Sequence, residues 1–276
     1  MKQIYSVNGE IKPLSEAQIP AERIETMYGF GVYETMKVRN GVLYFVDNHI
    51  DRLFHSASCI ELSHSFTQEQ VKTFILSLLG ELAEQSLNLK MLLMGSQDQR
   101  ESMLYLFPLA PYFPKRNWYR DGVSVCSFVY ERWMPQSKSL NMLPSYYYYT
   151  QAKREGHYDA LFVDNNLDIR EGTRTNFYVM KGKKIYSPPK ADVLEGVTMM
   201  TLEKAIQNSE FSIQYNRIPY ISLSKYDGAF LSSTSTKIIP VSRIDGKPMT
   251  ISHDLCELLE LYNSALDRSQ GLMSRI

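Results

Sequence analysis

Cysteine is scarce in this chain. Its three copies, Cys59, Cys126 and Cys256, are widely separated, odd in number and in no ligand-like spacing, which argues against both a disulfide framework and a zinc site. No metal is therefore expected. Excess charge is missing as well, because 30 Lys and Arg balance 30 Asp and Glu and neither sign gathers into a block. Nothing electrostatic calls for a nucleic-acid or membrane partner. No uninterrupted apolar stretch reaches the roughly 18 residues a membrane helix needs. The opening MKQIYSVNGEIKPL has no basic segment followed by an apolar run. A soluble, unexported, cytoplasmic protein is the expectation. Internal repeats are absent, low complexity is confined to the tyrosines at 146–149, and the five histidines are scattered without an assignable role.

What is present is enough chain for a large core. At 276 residues two domains are expected rather than one. The first, residues 1–113, reads as a small α/β unit. Asn8-Gly9 closes one hairpin, and Arg39-Asn40-Gly41 turns a strand over residues 29–38 into another over Val42 to Val46. Ile50, Leu53, Phe54, Ala57 and Ile60 recur at helical spacing, so Asp47 to Leu62 is expected to be amphipathic, with Arg52 off the apolar stripe. Thr67 and Gln70 form a capping box ahead of a second helix carrying Val71, Phe74, Ile75, Leu78, Leu79 and Leu82. Strands follow at Lys90 to Met94 and Met103 to Leu109.

Pro108, Pro111 and Pro114, with Asn117 and Asp121-Gly122, mark a linker at 114–122. From 123 to 276 the pattern changes to many strands on short connections: Val123 to Tyr130, Ala160 to Val163, Phe177 to Met180, Lys184 to Tyr186 and Gly228 to Leu231. Helices are expected at about Tyr146 to Glu155, Thr198 to Gln207 and His253 to Leu266.

The chemistry gathers around residues 137–176. One lysine, Lys138, precedes the aromatic-rich helical segment, and one acid, Glu171, sits in Arg170-Glu171-Gly172. An amine able to form an imine and a carboxylate able to face a protonated ring nitrogen are what a pyridoxal-type cofactor asks of a protein. Such a cofactor also needs an anion site. Leu194-Glu195-Gly196-Val197-Thr198 runs straight into a helical segment whose first amides are suited to a phosphate. Ser232 to Thr236 adds hydroxyls after an apolar strand, and Arg52 offers a full positive charge. Singly, each is matched by a bland alternative: a helix start, a polar loop, a solvated helix face. Their occurrence together gives them weight.

The ordered stretches YGFGVYETMKV with its RNG turn, HIDRLFHSA, KSLN, DIREGTRTNFYV, LEGVT and STSTKIIPV resemble the class IV, fold type IV family of pyridoxal-phosphate enzymes across nearly the whole chain. That family includes D-amino-acid and branched-chain aminotransferases and aminodeoxychorismate lyases. The resemblance implies a two-domain α/β fold, the small N-terminal domain followed by a larger C-terminal pseudo-barrel, and a homodimer. It implies Lys138 as the lysine of the internal aldimine, Glu171 opposite the pyridine nitrogen, and a phosphate site of Arg52, Gly196, Val197, Thr198, Ser233 and Thr234. Leu194 would pack on the ring, Asn176 would support the cofactor loop, and Tyr33 would line the substrate pocket.

The activity implied is amino-group transfer between an amino acid and a 2-oxo acid, with pyruvate elimination from aminodeoxychorismate as the alternative and a non-catalytic binding protein as a third reading. KSLN and Leu143 look closer to the D-amino-acid and lyase branches. The D-amino-acid branch, however, carries an Arg-Gly pair where this chain has Met94-Gly95. Arg100, Lys90 or Gln97 are candidates to meet the substrate carboxylate in its place, as are amides near Thr234, Ser235 and Thr236. The family's acid ahead of the Ile-x-Pro segment is replaced by Lys237. Tyr146 to Tyr149 offer an aromatic wall, although helical spacing directs at least two of them to the core.

Overall fold

Two left-handed residues, Asn8 (φ 51°) and Gly9 (φ 91°), close the first hairpin, between β1 (Ile4–Val7) and β2 (Glu10–Pro13). The computed structural model describes residues 2–269 and 274–275, and the chain divides into two units. The first holds residues up to Tyr112 together with Ser137–Asn141 and a short strand, Ser274–Arg275. After β2 come α1 (Ile24–Met27), β3 (Gly31–Arg39) and β4 (Val42–Leu43). Then follow α2 (Val46–Cys59), α3 (Gln68–Gly80), β5 (Leu87–Met94) and β6 (Met103–Leu109). The sheet runs Ser274–Arg275, β4, β3, β5, β6, β1, β2, antiparallel throughout.

Strand alternation gives this sheet two different faces. Val32, Met36, Val38, Leu89, Met91 and Leu93 point one way into a core completed by α2 and α3. The register Thr35↔Lys90↔Phe107 and Tyr33↔Leu92↔Tyr105 sets the other face. The capping box is present with both of its hydrogen bonds, from Gln70 N to Thr67 Oγ1 and from Thr67 N to Gln70 Oε1. The strand expected over Val42 to Val46 stops at Leu43. Phe45 adopts a left-handed φ of 54°, which ends strand geometry and starts α2 at Val46.

The second unit, Phe113–Gln136 with Met142–Ser269, is a closed sheet with helices. Its elements begin with α4 (Arg116–Asp121), β7 (Val123–Val129), α5 (Leu143–Arg154), β8 (Asp159–Val163) and β9 (Asp168–Gly172). Next are β10 (Asn176–Lys181), β11 (Lys184–Ser187), α6 (Val197–Ile206), β12 (Ser212–Tyr215) and β13 (Ile218–Pro219). The unit ends with β14 (Gly228–Ser233), β15 (Lys237–Ile244), β16 (Lys247–Pro248) and α7 (His253–Ser269). Six strands close a ring in the order β10, β14, β15, β7, β8, β9, sealed by pairing of Glu171 on β9 with Asn176 on β10. Closure removes the exposed edges that those strands would otherwise present. One face of the ring packs Val125, Leu161, Phe177, Leu231, Ile239 and Val241. The opposite face carries Cys126 and Ala160 against Ala152 of α5. In the tyrosine run, Tyr148 packs against Phe128, Tyr130 and Phe162, while Tyr146 and Tyr147 are exposed. No helix among the described residues is long and apolar enough to cross a membrane.

Candidate active site

Lys138 belongs to a five-residue segment that joins the first unit rather than the residues on either side of it. Its carbonyl accepts from Tyr33 N at 2.9 Å, and Leu140 N donates to Gly31 O at 2.8 Å, so the segment lies along the start of β3 as an isolated antiparallel bridge. Ser56 of α2 fixes it from another side: its Oγ accepts from Lys138 N at 3.1 Å and its carbonyl from Ser137 Oγ at 3.0 Å. Gly31 is required by this approach, because a Cβ there would stand 2.7 Å from the Leu93 carbonyl and 2.8 Å from Leu140. With its backbone held, Lys138 places its amine 4.5 Å from the centre of the Tyr33 ring.

Arg52, in the same unit, is buried rather than solvated. Its Nε donates to Glu34 Oε1 at 2.6 Å and its Nη2 to Glu34 Oε2 at 2.8 Å, a two-pronged pair with a fully buried carboxylate. His49, one turn earlier on α2 and equally buried, bonds the same carboxylate through Nδ1 at 2.8 Å. Burial raises the Glu34 pKa, but the Arg52 charge and the His49 hydrogen bond outweigh it and hold the carboxyl well below its ordinary range. Burial pushes the His49 ring down, with the Glu34 hydrogen bond opposing, and the nitrogen that faces the acceptor-only carboxylate, Nδ1, is the one that donates. Its Nε2 is buried with no partner among the described residues.

In the second unit Glu171 is buried on β9, with Oε1 accepting from Arg132 Nε at 2.6 Å and Oε2 from Leu194 N at 3.2 Å. Asn176, its neighbour across the ring closure, donates from Nδ2 to Leu194 O at 2.7 Å. Glu171, Asn176 and Leu194 thus form one connected group, and Gly196 adjoins it. Gly196 is the N-cap of α6 and has no side chain to cap the first-turn amides, where Val197 and Thr198 are buried. The Thr198 side chain bonds Tyr262 of α7.

The polar turn between β14 and β15 is internally bonded. Ser233 Oγ meets Thr236 Oγ1 at 2.8 Å and Ser235 Oγ at 3.2 Å, and the Thr236 carbonyl accepts from Tyr119 OH at 2.9 Å. Thr234 and Ser235 stand half-buried at its tip. Lys237 follows at a left-handed φ of 58° and donates from Nζ to Asn263 Oδ1 at 2.9 Å, which ties the turn to α7. The Arg100 side chain is 82% exposed and bonded to Asp98.

A family profile described as Amino-transferase class IV matches residues 31–244. The chain belongs to the class IV aminotransferase family. As an enzyme of that family it has the expected mixed α/β fold with a barrel-like sheet. It is 27% identical to a D-alanine aminotransferase of Bacillus licheniformis over 259 residues, 90% of this chain and 89% of that protein. It is 25% identical to a putative branched-chain-amino-acid aminotransferase of Methanocaldococcus jannaschii over 256 residues, 89% and 88% of the two chains. The fold is shared with the branched-chain aminotransferase of the thermophilic archaeon Thermoproteus uzoniensis solved with norvaline, at a TM-score of 0.86 and 20% identity over 98% and 95% of the two chains.

Three partners of these site groups escaped the sequence reading: Glu34, His49 and Arg132. A signal existed for the first two. Glu34 occupies a core-facing place between Val32 and Met36, and His49 lies three residues before Arg52, on the same helix face. Arg132 had none, since it lies in the irregular segment after β7.

Proposed function

We propose that this class IV aminotransferase moves an amino group between an amino acid and a 2-oxo acid, with pyridoxal 5'-phosphate as its cofactor and Lys138 as the lysine that holds it. The observation supporting this reading is the state of Lys138: backbone bonded on both sides, amine over the Tyr33 ring, and no carboxylate paired with it among the described residues. A solvated surface lysine has no need of such restraint.

The residues present fit the cofactor. A Cβ on Gly196 would stand 2.3 Å from Asn176 Oδ1, so the backbone approaches there more closely than any side chain permits. Beyond it lie buried, uncapped amides of a helix start, which suit a phosphate. We assign the phosphate to the amides of Val197 and Thr198, to Ser233 and Thr234 and, by the family pattern, to Arg52. Glu171 would face the ring nitrogen and Leu194 the ring. When bound, pyridoxal phosphate supplies the carbonyl that takes the amino group and the ring that accepts the electron pair from the substrate's α-carbon.

The chain's own part is to hold and to move protons. Lys138, displaced by the substrate amine, carries the proton removed from the α-carbon. Tyr33 orients that amine through its ring face. Arg132 fixes the Glu171 carboxylate, and Asn176 fixes the Leu194 carbonyl, so the group facing the ring is set before substrate arrives.

The test is a half-reaction on cofactor-loaded protein with L- and D-amino acids. An amino acid should shift the cofactor absorbance to that of the amine form, and a 2-oxo acid should restore it. Pyruvate release from aminodeoxychorismate without an acceptor would favour the lyase instead. An unchanged spectrum with every amino acid would reject transamination.

A further inference from the structure

Both substrates of the proposed reaction carry a carboxylate, and a carboxylate entering a partly dehydrated site needs a cation or several donors. Met94 itself offers no cation, and of the candidates Arg100, Gln97 and Lys90 the first two face solvent. Met94 is buried against Tyr5 and Tyr105, and Arg100 points into solvent on Asp98. Gln97 is exposed.

A cation does stand on the sheet face that carries Tyr33. Lys90 of β5 lies opposite Thr35, two residues along from the Tyr33↔Leu92 pair, and the sheet's alternation directs it to the same face as Tyr33. Its Nζ is 5.5 Å from the centre of the Tyr33 ring, the ring that also receives the Lys138 amine at 4.5 Å. Two amines share one phenol. Lys90 is half-buried, and no carboxylate pairs with it among the described residues. Arg39, a basic neighbour on this face, is occupied with the carbonyls of Val38 and Leu87 and with Asn88. Lys37 lies four residues along β3 from Tyr33, roughly 13 Å away at strand rise.

From this arrangement we infer that Lys90 is the cation that binds the carboxylate of the amino-acid and 2-oxo-acid substrates, the specificity-determining group of this chain. The inference rests on the transamination reading and deepens it. Two distances to a single ring centroid bound the separation of the amines. That upper bound leaves room for a small zwitterion with its amino group toward Lys138 and its anion toward Lys90, both beside the Tyr33 ring. A half-buried ammonium without a carboxylate partner in the free protein is thereby accounted for, since its partner arrives with the substrate. The family's arginine position is a separate place on the same face, so this chain meets the same anion from a different residue.

The experiment compares an amino acid with the amine that has the same side chain and no α-carboxylate, in cofactor-loaded wild type, Lys90→Met, Lys90→Gln and Lys90→Arg. We expect Met and Gln to raise KM for the amino acid about 10- to 100-fold, as loss of a charge-assisted hydrogen bond does. The carboxylate-free amine and the cofactor spectrum should be unaffected, and Arg should recover most of the loss. A penalty with monocarboxylic amino acids assigns the α-carboxylate to Lys90, and one confined to dicarboxylic substrates assigns the side-chain carboxylate and overturns the inference as stated. Equal losses on amino acid and amine, or no change, would also overturn it. If both neutral variants fail to fold, a 2-oxo acid should protect Lys90 of the wild type from an amine-reactive label, and absence of protection would overturn it. A wild type that bears cofactor but converts no amino acid would remove the transamination reading first, and this inference with it.

Discussion

Glu34 occupies a place in β3 where the alternation of Val32 and Met36 calls for a core hydrocarbon, and it is fully buried. Two partners make that tolerable: Arg52 with two hydrogen bonds and His49 with a third. Removing the charge leaves a guanidinium buried without its counter-ion, so Glu34→Gln should lower unfolding stability by about 3 kcal/mol in a denaturant titration. The pH sign follows from linkage. Glu34 has a folded pKa below its unfolded value, so its contribution is complete above the ordinary carboxylate range of about 4.3 and is lost as pH falls below it. The depressed His49 ring acts in the same direction, beginning nearer its ordinary value of about 6.5. Wild type should therefore lose stability on acidification more steeply than Glu34→Gln. Parallel curves would show that the triad is not the source.

Among elements, α6 is where local geometry bears most directly on cofactor binding. Gly196 has an ordinary φ of −72°, so an alanine there meets no backbone strain. It meets Asn176 Oδ1 instead. Gly196→Ala should therefore displace the Asn176–Leu194 bond and weaken cofactor affinity at least about tenfold, at a stability cost of about 1–3 kcal/mol for overpacking. Titration of the apoprotein with pyridoxal phosphate, followed by absorbance, measures this, and unchanged affinity would remove α6 from the cofactor site.

The same elements show what was legible in the sequence. Helical spacing of Ile50, Leu53 and Ala57 gave α2, and the Thr67 and Gln70 pair gave the start of α3, because both signals are local. The end of β4 depended on the left-handed Phe45, which no composition rule supplies. Helical spacing put Arg52 off the apolar stripe and gave no sign of its burial, because its counter-ion lies 18 residues away on a strand, beyond any periodicity argument. Arg132 acquires meaning only through its bond to Glu171, and Lys90, one of three sequence candidates for the substrate carboxylate, is set apart from Arg100 and Gln97 only by register and its ring contact.

Across the whole molecule, many short strands announced a β-rich second half, yet ring closure rests on one pairing, Glu171 with Asn176. Those two were the residues that the motif DIREGTRTN had singled out for chemistry. The closure that completes the barrel thus also places Asn176 beside the acid proposed to face the cofactor. The segment carrying Lys138 belongs with the N-terminal residues despite its place in the chain. A contact made across about a hundred residues of sequence separation is invisible to local pattern and costs little in loop entropy once the elements have formed.

Lys138 as the residue that carries the cofactor is the assignment from which every other proposed role follows. Reduction of the cofactor-loaded protein with borohydride, followed by proteolysis and mass spectrometry, tests this directly. A single phosphopyridoxyl group on the peptide containing Lys138, absent from Lys138→Ala, is the expected result. Stoichiometric label on another lysine, or none on a protein that retains its cofactor absorbance, would contradict it.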